Sequence, residues 1–147
     1  MKGHLTDALK TTRVLNSVVV GTSSQTSSVL DMAGYDGVRF FVLFGAITDG
    51  TLGIKVQQDT DVAMGAAADV EGTLVSGAVT DDNKMIIVDV FRPRERYVQC
   101  IVLRGGAVGG IIDGVIAEQY NAINIPVTAS STVAAQEKWS SPVEGTA

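Results

Sequence analysis

Apolar and polar residues alternate along much of this chain, and a period of two is the mark of strands whose two faces meet different surroundings. The clearest case is Val38 to Ala46, with Val38, Phe40, Val42 and Phe44 on one face and Arg39, Phe41 and Leu43 on the other. Both faces are largely apolar, which predicts an interior strand. Thr51 to Gln58 alternates Leu52, Ile54 and Val56 with Gly53, Lys55 and Gln57, the pattern of a half-buried strand. Between the two, Asp49-Gly50 predicts a hairpin turn, because both residues tolerate positive φ. Met85 to Phe91, Tyr97 to Arg104 and Ile111 to Tyr120 are three further strand candidates, separated by Arg92-Pro93-Arg94-Glu95 and by the glycine-rich segment 105–110. Core contact is expected between the Val38/Phe40/Val42/Phe44 face and the run from Tyr97 to Leu103.

Weaker signals fill the gaps. Val14 to Val20 is a β-branched run, and Gly21 to Ser28 has the composition of a loop. Residues 59–70, rich in Asp and Ala, read as a loop or one helical turn; Glu71 to Val79 reads as a short strand and Asp81 to Lys84 as a polar turn. Residues 1–13 read as an arm or a short helix, with Thr6 as its N-cap and Leu5 and Leu9 at i, i+4. From Pro126 the composition shifts to Ser, Thr, Ala and Gly. The organisation expected is an N-terminal arm or helix (1–13), a β-sandwich domain (14–128) and a C-terminal arm (129–147). No internal repeat argues for a solenoid or propeller. The fold class expected is all-β, a jelly-roll-like sandwich with an extended C-terminal arm.

Composition narrows the function. Apolar residues make up 46% and charged residues 18%, against about 25% charged in average soluble domains, so the surface is lightly charged. The formal net charge of −5 repels phosphate backbones, which argues against nucleic acid as a partner. No apolar stretch approaches the roughly 20 residues of a membrane helix, no signal-peptide pattern opens the sequence, and synthesis in the cytoplasm without membrane association is expected.

Candidate chemistry is sparse. The only histidine is His4, far from a nucleophile in any expected strand, and the only cysteine, Cys100, alternates with Val98 and Val102 as a buried apolar residue would. Asp59-x-Asp61 opens like a calcium loop, but Ala63 and Val70 occupy positions where ligands would stand. Acid/base pairing among Asp31, Asp36, Asp89, Asp113 and Glu118 stays open from sequence alone. The glycine-rich segment lacks the Gly-Lys-Ser/Thr and following helix of a phosphate loop. Arg92, Arg94 and Arg96 read as a turn paired with Asp89, Glu95 or other carboxylates, or as a local anion site. The expectation is a protein that is not an enzyme and needs no cofactor or metal. Partner contacts are expected at Gly105, Gly106, Gly109 and Gly110, where glycine permits close backbone approach, and at Val133, Trp139, Pro142 and Val143, apolar anchors in the arm.

The order of features resembles the capsid decoration, or cement, proteins of tailed bacteriophages. The resemblance runs over residues 28–145 and rests on Leu30-Asp31-Met32-Ala33-Gly34-Tyr35-Asp36-Gly37-Val38, Phe44-Gly45-Ala46-Ile47-Thr48-Asp49-Gly50 and Lys55-Val56-Gln57-Gln58. It continues in Asp89-Val90-Phe91-Arg92-Pro93 with Arg96-Tyr97-Val98, in Ala117-Glu118-Gln119-Tyr120 and in Pro142-Val143-Glu144-Gly145-Thr146. It implies a jelly-roll-like domain on the outside of an icosahedral head, bridging major capsid protein subunits, with that protein and further copies of itself, as a homo-oligomer, for partners. The competing expectation is a β-sandwich module that binds carbohydrate or another ligand. Aromatic residues, the usual sugar platforms, make up only 5% of the chain.

Overall fold

The alternating segments form strands that mostly pair across long stretches of the chain. The structure, a computed structural model, describes residues 3–141, 144 and 145. Its strands are β1 (Lys10–Leu15), β2 (Val18–Gly21), β3 (Gln25–Thr26), β4 (Leu30–Asp31), β5 (Gly37–Ile47), β6 (Leu52–Asp59), β7 (Ala68–Asp69), β8 (Val75–Gly77), β9 (Met85–Phe91), β10 (Tyr97–Arg104) and β11 (Gly110–Tyr120). Two 3-10 turns, Leu5–Asp7 and Val79–Asp81, complete the regular structure. One sheet runs β1-β11-β5-β9, with β2 continuing the line of β1 along β11. The other runs β3-β10-β6-β7, with β4 also on β10 and β8 also on β6.

All pairings are antiparallel, and one set is nested: the first strands join the last, β3 and β4 join β10, β5 joins β9, and β6 joins β7 and β8, while β5–β11 and β6–β10 link these pairs into the two sheets. This is the wrapping of a jelly roll, two stacked four-stranded layers made by folding one long antiparallel ribbon. The core lies between the layers. Val38, Phe40 and Val42 of β5 face Ile54 and Val56 of β6 and Val98, Cys100 and Val102 of β10, all with no exposed surface. Each such aliphatic or aromatic side chain contributes roughly 1.5–3 kcal/mol by leaving water. In β11 a bulge around Asp113 and Gly114 turns both Ile112 and Val115 inward, although an uninterrupted strand would point them to opposite faces.

Three sequence expectations are corrected. Asp49-Gly50 does not close a hairpin: β5 and β6 lie in different sheets, and the dipeptide carries the chain between them. Within residues 3–13 the helix is limited to the 3-10 turn Leu5–Asp7, and Lys10-Thr-Thr-Arg-Val14, expected in an arm or helix, alternates well enough to form the edge strand β1 with Val14 inside. Thr6 caps nothing; His4 stands at the N-cap position without a side-chain bond, and the Thr6 hydroxyl is buried without a partner. Asp59, which opens the calcium-like stretch, is engaged by its own loop. It is buried and accepts the amides of Asp61 (3.0 Å) and Ala66 (2.8 Å), which close the loop 60–67 on itself.

Candidate functional site

Four surfaces carry what the sequence singled out, and the glycine-rich loop joining β10 to β11 is the first. Its backbone is folded around a carboxylate. Asp49 Oδ1 accepts the amides of Gly109 (2.6 Å) and Val108 (2.9 Å), and Oδ2 accepts that of Ala107 (2.8 Å). These amides, Gly109 foremost, hold the Asp49 carboxyl below its ordinary value. The sequence predicts a flexible loop; the structure closes it, because consecutive amides form an anion cradle and Asp49 fills it. Gly106 and Gly109 have positive φ, and a Cβ on Gly109 would strike the carbonyl of Gly21. Of the four expected contact glycines, Gly109 and Gly110 are buried and Gly105 half-buried, so only Gly106 is open to a partner. The loop shows a partner Val108, beside the exposed Val19 and Val20 of the adjoining β2.

Arg104, which no sequence signal marked, fixes the same end. It is 9% exposed, and its guanidinium donates to the carbonyls of Val19 (2.7 Å), Ser23 (2.8 Å) and Gly110 (3.0 Å). Gly21 leaves room for it, since a Cβ there would lie 3.3 Å from Nη2. Burial lowers its pKa, yet an arginine stays charged at any ordinary pH.

The C-terminal segment leaves from the other end of β11. It lies along the outer edge of β1: Val127 N donates to Asp7 O (2.9 Å), Arg13 N to Thr132 Oγ1 (2.9 Å), and Lys138 pairs with Asp7 at 2.6 Å. The described part is thus strapped to its own chain, and it occupies an edge that would otherwise present open backbone groups. None of its described side chains in 121–141 is fully buried. Val133 is half-buried and Trp139 is 73% exposed; Pro142 and Val143 lie outside the described residues. Among the described residues, no hydrogen bond joins the glycine loop to Val133 or Trp139.

The third surface is the arginine corner between β9 and β10. Arg96 forms a two-bond pair with Asp31, Nε to Oδ1 at 2.9 Å and Nη2 to Oδ2 at 2.7 Å, which holds the Asp31 carboxyl down. The expected pairing with a nearby carboxylate is thus met by Arg96 through Asp31, while among the described residues Arg92 and Arg94 form no ion pair. Asp89 instead accepts the Tyr120 hydroxyl at 2.6 Å. Burial and that bond push the phenol up to about 12. Arg92 stacks over Phe91, and the turn is pinned by Gln58 Oε1, which accepts the amides of Arg94 and Glu95. Beside it lies an open basin of about 540 Å³, lined by Met32, Tyr35, Asp36, Arg92 and Arg94 among others.

The last surface is the outer face of the first sheet, where Met85, Ile87 and Phe91 are 56%, 48% and 58% exposed. Phe41 stands opposite Ile87, and Leu43 opposite Met85. Three of the five carboxylates left open as acid/base candidates have other partners: Asp31 faces Arg96, Glu118 faces Arg39 at 2.7 Å, and Asp89 faces Tyr120. Among the described residues no group of three or more His, Cys, Asp or Glu side chains could hold a metal ion. Burial pushes the Cys100 thiol up to about 11, so it is a poor nucleophile where it stands.

The sequence matches no family model and no curated protein. Among solved structures the fold is similar to that of the PBSX exported protein XepA, with a TM-score of 0.52 at 12% identity over 95% of this chain. The likeness covers 46% of that protein, so this chain spans about half its length. At this identity the likeness concerns the fold.

Proposed function

We propose that the protein is a structural component of a phage particle, seated on the outside of the head and bridging major capsid protein subunits. The observation that carries this reading is the jelly-roll fold shared over 95% of the chain with the PBSX exported protein XepA. The sequence resemblance to decoration proteins agrees with it. The surface suits a protein that makes many modest contacts repeated around a shell, where multivalency multiplies weak affinity. Exposed apolar side chains stand at the loop tip (Val108, Val19), on the tail (Ile123, Ile125, Trp139) and on the outer sheet face. The tail is the part best suited to exchange its own strand for a capsid groove, since its described contacts are a few polar bonds with which water competes.

The test is to add full-length protein, and protein cut after residue 126, to heads assembled without it. Full-length protein should bind at a fixed number of copies per head and raise survival on heating, because a ligand stabilises the state it binds. The truncated form should fold but occupy fewer sites. If the full-length protein binds no head, the reading fails; equal occupancy by both forms removes the tail from it. The basin beside Tyr35, Arg92 and Arg94 favours a second reading, a module binding an anionic sugar or similar ligand, for which titration with acidic oligosaccharides should show saturable heat.

A further inference from the structure

The two edges of the first sheet are treated differently. The β1 edge is covered by the C-terminal segment through the Arg13 to Thr132 bond. At the other edge, β9 pairs with β5 alone; β8 of the second sheet packs close to it, where a Cβ on Gly77 would lie 3.7 Å from Ile86 Cδ1, and among the described residues no backbone hydrogen bond is made at the outer side of β9. Natural proteins usually guard such an edge with lysine, proline or a bulge. Residues 85–91 contain none of these and run Met-Ile-Ile-Val-Asp-Val-Phe. Their one charge, Asp89, is drawn away from the edge by Tyr120, whose ring reaches across Gly37 of β5. The exposed Met85, Ile87 and Phe91 form an apolar strip that continues through Leu43 and Phe41 of β5 to Ile116 of β11.

We propose that β9 pairs antiparallel with β9 of a second copy of this chain about a two-fold axis at Val88, joining two four-stranded layers into one continuous sheet. The strand's own pattern selects this occupant. Turned about Val88, Met85 faces the partner's Phe91, Ile86 the partner's Val90 and Ile87 the partner's Asp89. Met85 and Phe91 then oppose each other on the outer face, flanking two Ile87–Asp89 pairs, and β-branched residues oppose each other on the core side. The two Asp89 carboxylates are kept out of direct opposition, where like charges would destabilise the ladder. An isologous contact needs this self-complementarity; an unrelated extended segment does not. The inference does not rest on the head-binding reading.

A seven-residue ladder is about 24 Å long and buries less than the roughly 800 Å² per partner of a standard interface, so the dimer should dissociate at micromolar concentration. Each copy carries a net charge of −5, and added salt, by screening that repulsion, should strengthen the pairing. The experiment is sedimentation equilibrium of the full chain from about 1 to 100 µM. Wild type should show a monomer–dimer equilibrium. Ile87→Lys, at a half-exposed position, should raise the dissociation constant at least about tenfold with the melting temperature unchanged. Val19→Lys, at another exposed apolar site, should leave it alone. The double variant Met85→Cys, Phe91→Cys should oxidise to a covalent dimer, and either single variant should not. A monomer throughout, an oligomer that survives Ile87→Lys, or equal loss in Val19→Lys would overturn the proposal.

Discussion

Replacing Arg104 by methionine keeps most of the aliphatic stem in place and removes the guanidinium, so it isolates the three hydrogen bonds to Val19, Ser23 and Gly110. A hydrogen bond from a charged donor is worth about 1.5–3 kcal/mol net, and a buried carbonyl left unpaired costs about 1–3 kcal/mol. Two effects reduce the total. The carbonyls of Val19 and Ser23 lie in surface segments where water can replace the donor, and Arg104 has no carboxylate partner, so its own desolvation cost is relieved. The expected loss is about 2–4 kcal/mol. In a domain of this size that lowers the melting temperature by roughly 5–15 °C. Urea unfolding should show a lower midpoint with an unchanged slope, because the surface exposed on unfolding stays the same. Arg104→Lys should fall in between, since one ammonium cannot reach three diverging carbonyls. A loss below about 1 kcal/mol for the methionine variant would refute the claim that this arginine ties β2 to β11.

Phe40→Ala should cost about 3–5 kcal/mol in the same assay, through lost burial and the cavity left between the layers. Asp49→Asn should speed amide exchange at Ala107, Val108 and Gly109 while leaving exchange in β5 and β10 unchanged, as read by hydrogen-exchange mass spectrometry. Asp31, Asp49 and Asp59 all have folded values below the ordinary 3.8, so their contribution is complete above that value and is lost as pH falls through the depressed ones. Stability should therefore hold to about pH 4 and decline below it, less steeply in Asp49→Asn. Cys100 should react with a thiol reagent at pH 8 only as fast as the protein opens, and its rate should rise with denaturant.

Strands β5, β9, β10 and β11 were legible within a residue or so because alternation over seven or more positions leaves little choice. Strand β1 was not: only Val14 of its six residues is buried, and Lys10 and Arg13 disguise an edge strand as a solvated segment. Asp49-Gly50 misled because a turn dipeptide records that the chain reverses, not whether the strands it joins share a sheet. The glycine loop was recognisable, but the acceptor that rigidifies it stands about 60 positions away, a distance no local pattern spans. Arg104 closed an apolar run and looked like a strand end meeting solvent. The free edge at β9 is invisible in sequence for the same reason, since which strand lies outermost is decided by pairing order.

That nested order also sets when the molecule can fold. As the chain leaves the ribosome, β1 and β2 wait for Gly110–Tyr120, and β3 and β4 wait for Tyr97–Arg104. The innermost pairs, β6 with β7 and β8 and then β5 with β9, have the shortest loops to close, so they can form before the outer strands find their partners. Chains dominated by such distant contacts fold in milliseconds to seconds. During that interval the sticky strand β9 is already formed while its sheet is half built, and at high expression levels this is the point at which nascent copies can join wrongly or be captured by chaperones.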